Sequence, residues 1–392
     1  MVDLAIFLMS LAFVAMVGLR LKLRPITVGA LAIWHSALCI AYWRLVLATH
    51  GDAFAYFNAG QDGKLYLAVG TRFVQSIAGI LVHWVGFSFL GCMLLFNSIG
   101  LLGLILLAGT LQDIVPPQSR TIRHIGWLVL FLPGLSFWTA ALGKDAIAFL
   151  GVGLLVYGSA KIAKRYRLFV VGLLAIFAVR PQIALLAGVA GAIGLMFEWR
   201  LSLRRRLVLG LAAGVLLALS LPMVVEYVGL GAVASVGDLT TAIEARQGAN
   251  FVGGGAIDVE KLSFPEQVFA YMFRPLFFDV RNPLGLAASV ENAFLLLFAL
   301  ATVRPLATLL RRNATFFVRF NLFYALFGWG TLAVATSNLG ISLRQKMMFV
   351  PSLIALCIAS LVYREFRLLR RRGSPQILPL APGLRPIADG SS

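Results

Sequence analysis

Charged side chains are scarce in this sequence, and their scarcity excludes a soluble globular protein. Only 13% of its 392 residues are Asp, Glu, Lys or Arg, whereas 60% are hydrophobic. A soluble protein of this length would need much more polar surface to cover its core. The apolar runs are also too long and too many for one globular core. The sequence therefore predicts an all-α polytopic protein whose solvent is a lipid bilayer.

Cysteine and histidine are rare as well, and neither forms a recognisable site. The three cysteines lie far apart in apolar stretches without a CxxC pair, so no disulfide framework is expected. The four histidines occur without an HExxH spacing, and no GxSxG sequence is present. The sequence therefore contains no motif that indicates zinc chemistry or a serine nucleophile, and we predict no metal-ligand residues. The sequence leaves open whether a divalent cation acts as a cofactor.

Acidic residues are few, since 16 Asp and Glu stand against 34 Lys and Arg, giving a net charge of +18. In a soluble protein this excess would suggest nucleic acid as a partner. Here the basic residues form short clusters between apolar runs, the pattern described by the positive-inside rule. We therefore expect no nucleic-acid partner and use the clusters to assign the topology.

Runs of about 20 apolar residues, the length that crosses a bilayer, predict about eleven transmembrane helices. Every second connection is basic, and placing those connections in the cytoplasm leaves the N-terminus outside and the C-terminus inside. Residues 73–85 are too few for a full span, so we expect an interfacial helix there. The predicted spans cover 4–19, 26–47, 87–110, 125–142, 146–160, two helices within 168–198, 207–225, 288–303, 315–336 and 347–363.

This topology predicts a single transmembrane domain over residues 1–363, with outer loops at 49–86 and 226–284. The glycine-rich stretch 247–255 in the second loop is typical of a mobile lid or of a plain linker. Residues 364–392 form a basic, Pro- and Gly-rich cytoplasmic tail that we expect to be disordered after Gly373.

The first outer loop carries a carboxylate between a glycine and several aromatic residues. Asp52 follows Gly51, and Tyr56 comes one helical turn later. A carboxylate just above a membrane can serve as a general base or as a ligand for a hydroxyl group. Asp52 is equally suited to a plain helix N-cap, so the sequence leaves both interpretations open.

The tip of the first predicted hairpin carries Lys144 and Asp145. The two helices of this hairpin average about 18 residues, slightly short for full spans, so we expect the tip at or below the membrane surface. Pro133 should also kink the first of them. The alternative is an ordinary turn in which Lys144 and Asp145 neutralise each other.

Arg180 lies deep for a charged residue, since only twelve apolar residues separate it from Arg167. That length gives about 18 Å of helix against a hydrocarbon core of about 30 Å. A charge at this depth usually faces a cavity or a partner, and Pro181 should loosen the helix beside it, next to Gln182. The alternatives are pairing with a carboxylate such as Glu291 and snorkelling to the surface.

Further polar and charged residues lie on the same predicted face. Arg344, Gln345 and Lys346 precede the last helix, where basic residues run against the positive-inside bias. Anion binding would explain them, and lipid headgroup contact is the alternative. Arg274 and Glu291 flank the end of the second outer loop.

Together these residues predict one site in the outer leaflet, with several cations close to carboxylates. That combination suits a ligand with an anionic head and an apolar tail, such as a polyprenyl phosphate or diphosphate sugar. The cations would hold the phosphates and stabilise the charge of the leaving group, and a carboxylate would deprotonate the acceptor hydroxyl.

The chain resembles bacterial membrane glycosyltransferases of the GT-C fold and the related Wzy-type polysaccharide polymerases. The resemblance spans most of residues 49–363 but lacks the paired acidic motif of that fold, because the nearest second carboxylate is Asp62. It is carried by Gly51-Asp52 with Tyr56, Pro133-Gly134-Leu135-Ser136-Phe137-Trp138 before Gly143-Lys144-Asp145, Arg180-Pro181-Gln182, and Arg344-Gln345-Lys346 before Pro351.

The resemblance implies a GT-C-like bundle in the bacterial cytoplasmic membrane, with an active site on the extracytoplasmic face. It implies a polyprenyl-linked sugar donor, a glycan acceptor, and Asp52 as the base. The resemblance to Wzy-type polymerases implies instead that Arg180 and Arg344 carry more of the catalytic role. Two other functions stay open: a flippase or transporter of a lipid-linked sugar, and a non-catalytic subunit of a polysaccharide-synthesis complex.

The candidate residues divide into two predicted groups. The predicted catalytic residues are Asp52, Asp145 and Arg180. The predicted substrate-binding residues are Tyr56, Lys144, Gln182, Arg274, Glu291, Arg344, Gln345 and Lys346.

Overall fold

A computed structural model describes residues 2–196, 198, 202–228, 262–280, 282–312, 315–372 and 384. Over these residues the regular secondary structure is helical, with no β-strand. The predicted flexible stretch 247–255 and the predicted disordered tail after Gly373 lie outside the described residues, apart from residue 384.

The helices are numbered here in chain order. The first half of the chain forms α1 (Val2–Arg20), α2 (Pro25–Thr49), α3 (Asp52–Gly60), α4 (Thr71–Gly79), α5 (Phe89–Ile114), α6 (Arg120–Leu130), α7 (Pro133–Phe137), α8 (Lys144–Ala160) and α9 (Ile162–Val179). The second half forms α10 (Pro181–Met196), α11 (Leu203–Val228), α12 (Phe264–Phe273), α13 (Pro283–Arg312), α14 (Phe316–Ala335), α15 (Leu339–Gln345) and α16 (Val350–Arg371).

Within the described part of the chain, five helices are long and apolar enough to cross a membrane: α1, α2, α5, α13 and α14. A sixth span forms if α15 and α16, which meet at a bend of 60°, are taken together. The chain is therefore an all-helical, multi-pass membrane protein, as its composition predicts. Helices α8 and α10 have only 17 and 16 residues.

The single helix predicted over residues 125–142 is wrong, because the chain breaks there into α6, α7 and a turn. Leu132 has an extended backbone before Pro133, the conformation that a following proline favours. Pro133 is the first residue of α7. A residue at that position donates no intrahelical hydrogen bond, so the missing N–H of proline costs none. The next N–H, of Gly134, donates 2.6 Å to Oε2 of Glu291 on α13. A kink was expected at Pro133, but the proline separates two helices.

The bundle is organised around α5, which is largely buried and packs against α1, α2 and α8. Small residues let the backbones of neighbouring helices approach closely. A Cβ atom on Gly153 of α8 would lie 2.6 Å from the carbonyl oxygen of Gly103 on α5. A Cβ atom on Gly151 would lie 2.9 Å from the carbonyl oxygen of Gly172 on α9. These contacts fix α8 and α9, which carry Asp145 and Arg180 at their ends.

Polar residues collect at two opposite ends of the bundle. At one end, Asp113 near the end of α5 pairs with Lys161 at 2.5 Å and with Arg165 at 2.6 Å. We call this the arginine end, because α13 and α16 also finish there in basic residues. At the other end α2 finishes, α3 and α8 begin, and α9 meets α10. We call it the Asp52 end.

Candidate functional site

A buried carboxylate bridges two arginines at the Asp52 end. Oδ1 of Asp145 accepts a hydrogen bond from Nη2 of Arg180 at 2.6 Å, and Oδ2 accepts one from Nε of Arg344. The three residues come from α8, the α9–α10 junction and α15. Asp145 therefore ties together three separate parts of the chain, and each of its oxygens binds one guanidinium.

A second carboxylate extends this bridge toward solvent. Nη1 of Arg344 donates to Oδ2 of Asp52 at 2.7 Å, so one guanidinium binds both aspartates. The exposed fraction of the side chain rises from 8% at Asp145 to 24% at Arg344 and 59% at Asp52. We call Asp52, Asp145, Arg180 and Arg344 the bridged cluster. The cluster is buried at Asp145 and exposed at Asp52.

Local sequence explains why these side chains point to one place. Asp52 and Asp145 lie in the first turns of α3 and α8, where free backbone N–H groups and the helix dipole favour a carboxylate. Arg180 has a non-helical backbone directly before Pro181, which begins α10. Arg344 lies in the last turn of α15, and the dipole of that helix end favours a cation.

Lys144 is a surplus cation beside the bridged cluster. The charges of the two aspartates and two arginines cancel, and Lys144 interacts electrostatically with all four. Its half-buried ammonium group makes no ion pair or hydrogen bond among the described residues. The Nε atom of Arg180 is buried and also lacks a partner within the described part of the chain. The site therefore carries a net positive charge and spare donors.

Aromatic side chains form one wall of the site. Tyr42 of α2 is buried and interacts electrostatically with Arg344 and Asp145. Phe137 and Trp138 pack edge-on against Tyr42, with ring centroids 5.1 Å and 6.0 Å away. Tyr56 of α3 lies near Gly143, 3.8 Å from where a Cβ atom would stand.

Tyr56 is unsuited to act as a base in its resting state. Burial raises the pKa of its hydroxyl, and the negative charge of Asp52 raises it further. The phenol therefore stays protonated near neutral pH and can donate or accept hydrogen bonds. This leaves Asp52 as the exposed anion of the site.

A second polar group is buried beside the bridged cluster, and it contains Glu291, Asn292 and Lys346. Lys346 is fully buried, and its Nζ donates to Oδ1 of Asn292 and, at 3.4 Å, to the carbonyl oxygen of Met272. Glu291 interacts electrostatically with Lys346 and accepts the N–H of Gly134. Nδ2 of Asn292 donates to the carbonyl oxygen of Pro275 at 2.9 Å. We call these three residues the lysine cluster; it links α13 to the residue that follows α15 and contacts α12 at Met272.

The structure brings together some of the predicted site residues and directs others elsewhere. Asp52, Asp145, Arg180 and Arg344 make direct contacts, with Lys144 and Tyr56 beside them. Glu291 and Lys346 belong to the lysine cluster. Nε of Arg274 donates to Oδ2 of Asp279 at 3.0 Å. Oε1 of Gln345 accepts a hydrogen bond from the hydroxyl of Thr336 at 3.0 Å. Gln182 is half-buried in the first turn of α10.

Three specific interpretations from the sequence are decided by these contacts. Asp52 is not the N-cap of α3, since Gly51 holds that position and Asp52 binds Arg344. Lys144 and Asp145 do not neutralise each other, because Asp145 pairs with two arginines. Arg180 does pair with a carboxylate, but with Asp145 and not with Glu291.

Two tyrosines at the site were missed from sequence. Tyr42 lies within an apolar helix, where an aromatic residue normally indicates packing alone. Tyr271 of α12 is buried with its hydroxyl unpaired among the described residues, and it interacts electrostatically with Arg180. The only feature of the sequence that could have indicated them is the polar hydroxyl of a tyrosine in an apolar stretch. Many tyrosines in protein cores share that feature.

Among the residues described, no group of three or more His, Cys, Asp and Glu lies close enough to hold a metal ion. The family models, the curated proteins and the solved structures that were compared with the chain include no match to it.

Proposed function

We propose that the protein transfers a sugar or an oligosaccharide from a polyprenyl-phosphate or polyprenyl-diphosphate donor to a glycan acceptor. The observation that carries this proposal is the bridged cluster with its surplus cation. Arg344 joins a buried aspartate to an exposed one, and Lys144 stands beside them without an ion pair in the described part of the chain.

The charge distribution supports an anionic ligand with an apolar tail. Lys144 is available to phosphate oxygens, and the buried Nε of Arg180 is a second donor without a partner among the described residues. Helix α2, which supplies Tyr42 to the wall of the site, is apolar and largely exposed, so a polyprenyl chain would remain in the bilayer beside it while its phosphate reaches the cluster.

Asp52 would act as the base in this reaction. The acceptor hydroxyl loses its proton to the Asp52 carboxylate as its oxygen bonds to the anomeric carbon of the donor sugar. The bond between that carbon and the phosphate oxygen breaks, and the electron pair leaves with the polyprenyl phosphate. Arg180 and Lys144 would stabilise the charge on this leaving group.

Asp145 is one of the predicted catalytic residues. In this proposal it would also position Arg180 and Arg344. It neutralises Arg180 and Arg344 and holds both guanidinium groups in fixed orientations. Arg344 in turn would hold the Asp52 carboxylate in position through the hydrogen bond from its Nη1.

The proposal extends to the arrangement in the membrane. It places the Asp52 end outside the bacterial cytoplasmic membrane and the arginine end in the cytoplasm, as the positive-inside rule favours. It also takes α8 to α11 as further spans, so that the total approaches eleven in a GT-C-like bundle.

The test is the set of lipid-linked intermediates in a strain that lacks the protein, measured by mass spectrometry with and without complementation. The proposal predicts that one glycan intermediate accumulates on the outer leaflet and disappears on complementation. Accumulation on the inner leaflet would make the protein a flippase. No accumulation would contradict a lipid-linked donor altogether.

A further inference from the structure

A cavity of about 710 Å³ lies at the arginine end, between the last turns of α13 and α16. It is remote from the bridged cluster, since it opens where these helices finish. Four arginines line it: Arg304 from α13 and Arg364, Arg367 and Arg371 from α16. Among the described residues, its lining includes no aspartate or glutamate.

The arginines of the cavity are uncompensated. None of the four makes an ion pair or a side-chain hydrogen bond among the described residues. Glu365 lies between two of them in sequence, but its carboxylate accepts from the hydroxyl of Ser119. Four like charges around one cavity repel each other, and an anion between them would relieve that repulsion.

The helix periodicity places these charges on one surface. Arg364, Arg367 and Arg371 follow an i, i+3, i+7 spacing, which puts them on one face of α16. On α13, Ala301, Pro305 and Thr308 share a face by the same rule, with Arg304 beside them. The two faces meet at the cavity, so the guanidinium groups of two helices can reach one bound group.

The cavity also offers a hydrogen-bond acceptor. Pro305 lies inside α13 and has no N–H to donate to the carbonyl of Ala301 one turn earlier. Both residues line the cavity. A ligand hydroxyl or ammonium group could therefore bond the Ala301 carbonyl while the arginines hold an anion.

The walls of the cavity are apolar and face the lipid. Leu300, Val303 and Leu368 are exposed over 63%, 56% and 43% of their surfaces and line the same space. Since α13 is long and apolar enough to span a membrane, its exposed apolar side chains border acyl chains. Basic residues at this level of a spanning helix meet the headgroups of the bilayer.

We propose that this cavity binds the anionic headgroup of a bilayer phospholipid, with the four arginines around its phosphate and its acyl chains along the apolar walls. A hydroxylated headgroup such as that of phosphatidylglycerol would use both the arginines and the Ala301 carbonyl. The proposal is independent of sugar transfer at the Asp52 end.

Native mass spectrometry of the purified full-length protein in detergent tests this site. The probes are phosphatidylglycerol, phosphatidylcholine and inorganic phosphate. The cavity variant is Arg364→Gln with Arg367→Gln. Its matched control is Arg370→Gln with Arg372→Gln, which removes the same charge from the same helix end outside the cavity.

The cavity variant should weaken phosphatidylglycerol binding roughly tenfold, and the control less than about twofold, if two specific charge contacts are lost. Arg304→Gln, on the other helix, should weaken binding in the same direction. Phosphatidylcholine should bind the wild type more weakly than phosphatidylglycerol does.

Three results would overturn the proposal. Equal weakening by the cavity and control variants would reduce the effect to general surface charge. Equal binding of phosphatidylcholine would remove the role of the anion. Displacement of phosphatidylglycerol by millimolar phosphate would mean that the acyl chains add nothing. The variants change exposed or half-buried side chains, so unchanged melting temperatures without added lipid confirm that folding is intact.

Discussion

Arg344 and Asp52 are separated by 292 positions in the sequence, yet Nη1 of the arginine lies 2.7 Å from Oδ2 of the aspartate. The same guanidinium also binds Asp145, so Arg344 sets the relative position of the two carboxylates. Because Asp145 is buried and Asp52 is open to solvent, this one side chain connects the interior of the bundle to its accessible end.

Arg344→Lys should reduce sugar transfer at least about tenfold, although it keeps the positive charge. A lysine ammonium is a compact charge on a flexible stem and cannot hold two carboxylates in the planar geometry of a guanidinium. The measurement is transfer to acceptor in membrane vesicles, with protein levels checked by blotting. Arg72→Lys is the control, because Arg72 is exposed and contacts Tyr66. Full activity of Arg344→Lys would show that charge alone suffices.

Asp145→Asn should lower the free energy of unfolding by about 3 kcal/mol, because it leaves buried cations without their shared carboxylate. The measurement is thermal unfolding of the purified protein in lipid. Asp113→Asn is the comparison: it also breaks a carboxylate between two cations, but its side chain is 20% exposed. Because ion pairs that are more exposed contribute less to stability, Asp113→Asn should lower the free energy of unfolding by less than Asp145→Asn does.

A second substitution separates charge from packing at Asp145. Adding Arg180→Gln to Asp145→Asn removes one uncompensated cation and should restore part of the lost stability. If the double variant is less stable than Asp145→Asn alone, the account of the cluster as a charge-balanced unit is wrong.

Lys144→Gln should raise the KM for the lipid-linked donor about tenfold, with a smaller effect on kcat. Lys144 has no carboxylate partner among the described residues, so its loss removes a phosphate contact without breaking an internal ion pair. The wild-type KM should also rise with salt, and the variant's KM should rise less. Lys64→Gln is the control, since Lys64 pairs with Asp62 on the surface. An unchanged KM in the Lys144→Gln variant would exclude this phosphate contact.

The sequence predicts the membrane class of this protein and the residues of the cluster better than it predicts their partners. The depth of Arg180 follows from the twelve apolar residues before it, and a charge at that depth needs a partner. Which carboxylate supplies the partner depends on which helices are neighbours. Spacing along one helix carries no information on that, so the sequence could offer Glu291 only as one possible partner, and the structure shows Asp145.

Other differences have local physical causes. The helix expected over residues 125–142 is divided because Pro133 begins a new helix and Glu291 takes the N–H of Gly134. Tyr42 could not be selected because its role depends on Phe137 and Trp138, which approach from a different part of the chain. These contacts are tertiary, and composition and periodicity cannot show them.

Gly134→Ala should destabilise the protein by about 1–3 kcal/mol, the range for overpacking a well-packed site. The added Cβ atom would clash with Oε1 of Glu291 and lie 2.9 Å from Cε of Met347. Glu291 would then shift and disturb the lysine cluster. The measurement is the shift in melting temperature.

Gly126→Ala is the matched control for this substitution. A Cβ atom at Gly126 in α6 would meet only Cδ1 of Leu111 within 4 Å, at an ordinary 3.5 Å. Since alanine favours a helix over glycine, this variant should be neutral or slightly more stable. Equal melting temperatures for both variants would mean that Glu291 moves freely.

Comparison of Asp52→Asn with Asp62→Asn tests the central claim most directly. Asp52 begins α3 and Asp62 follows the end of the same helix, with side chains 59% and 66% exposed, but only Asp52 of the two binds Arg344. Each variant is expressed in the deletion strain, and the lipid-linked glycan intermediate is quantified by mass spectrometry. If Asp52 is the base, its substitution should slow transfer about 10²- to 10⁴-fold and leave the intermediate uncleared, while Asp62→Asn clears it like the wild type. Clearance by Asp52→Asn at the wild-type rate would contradict the account.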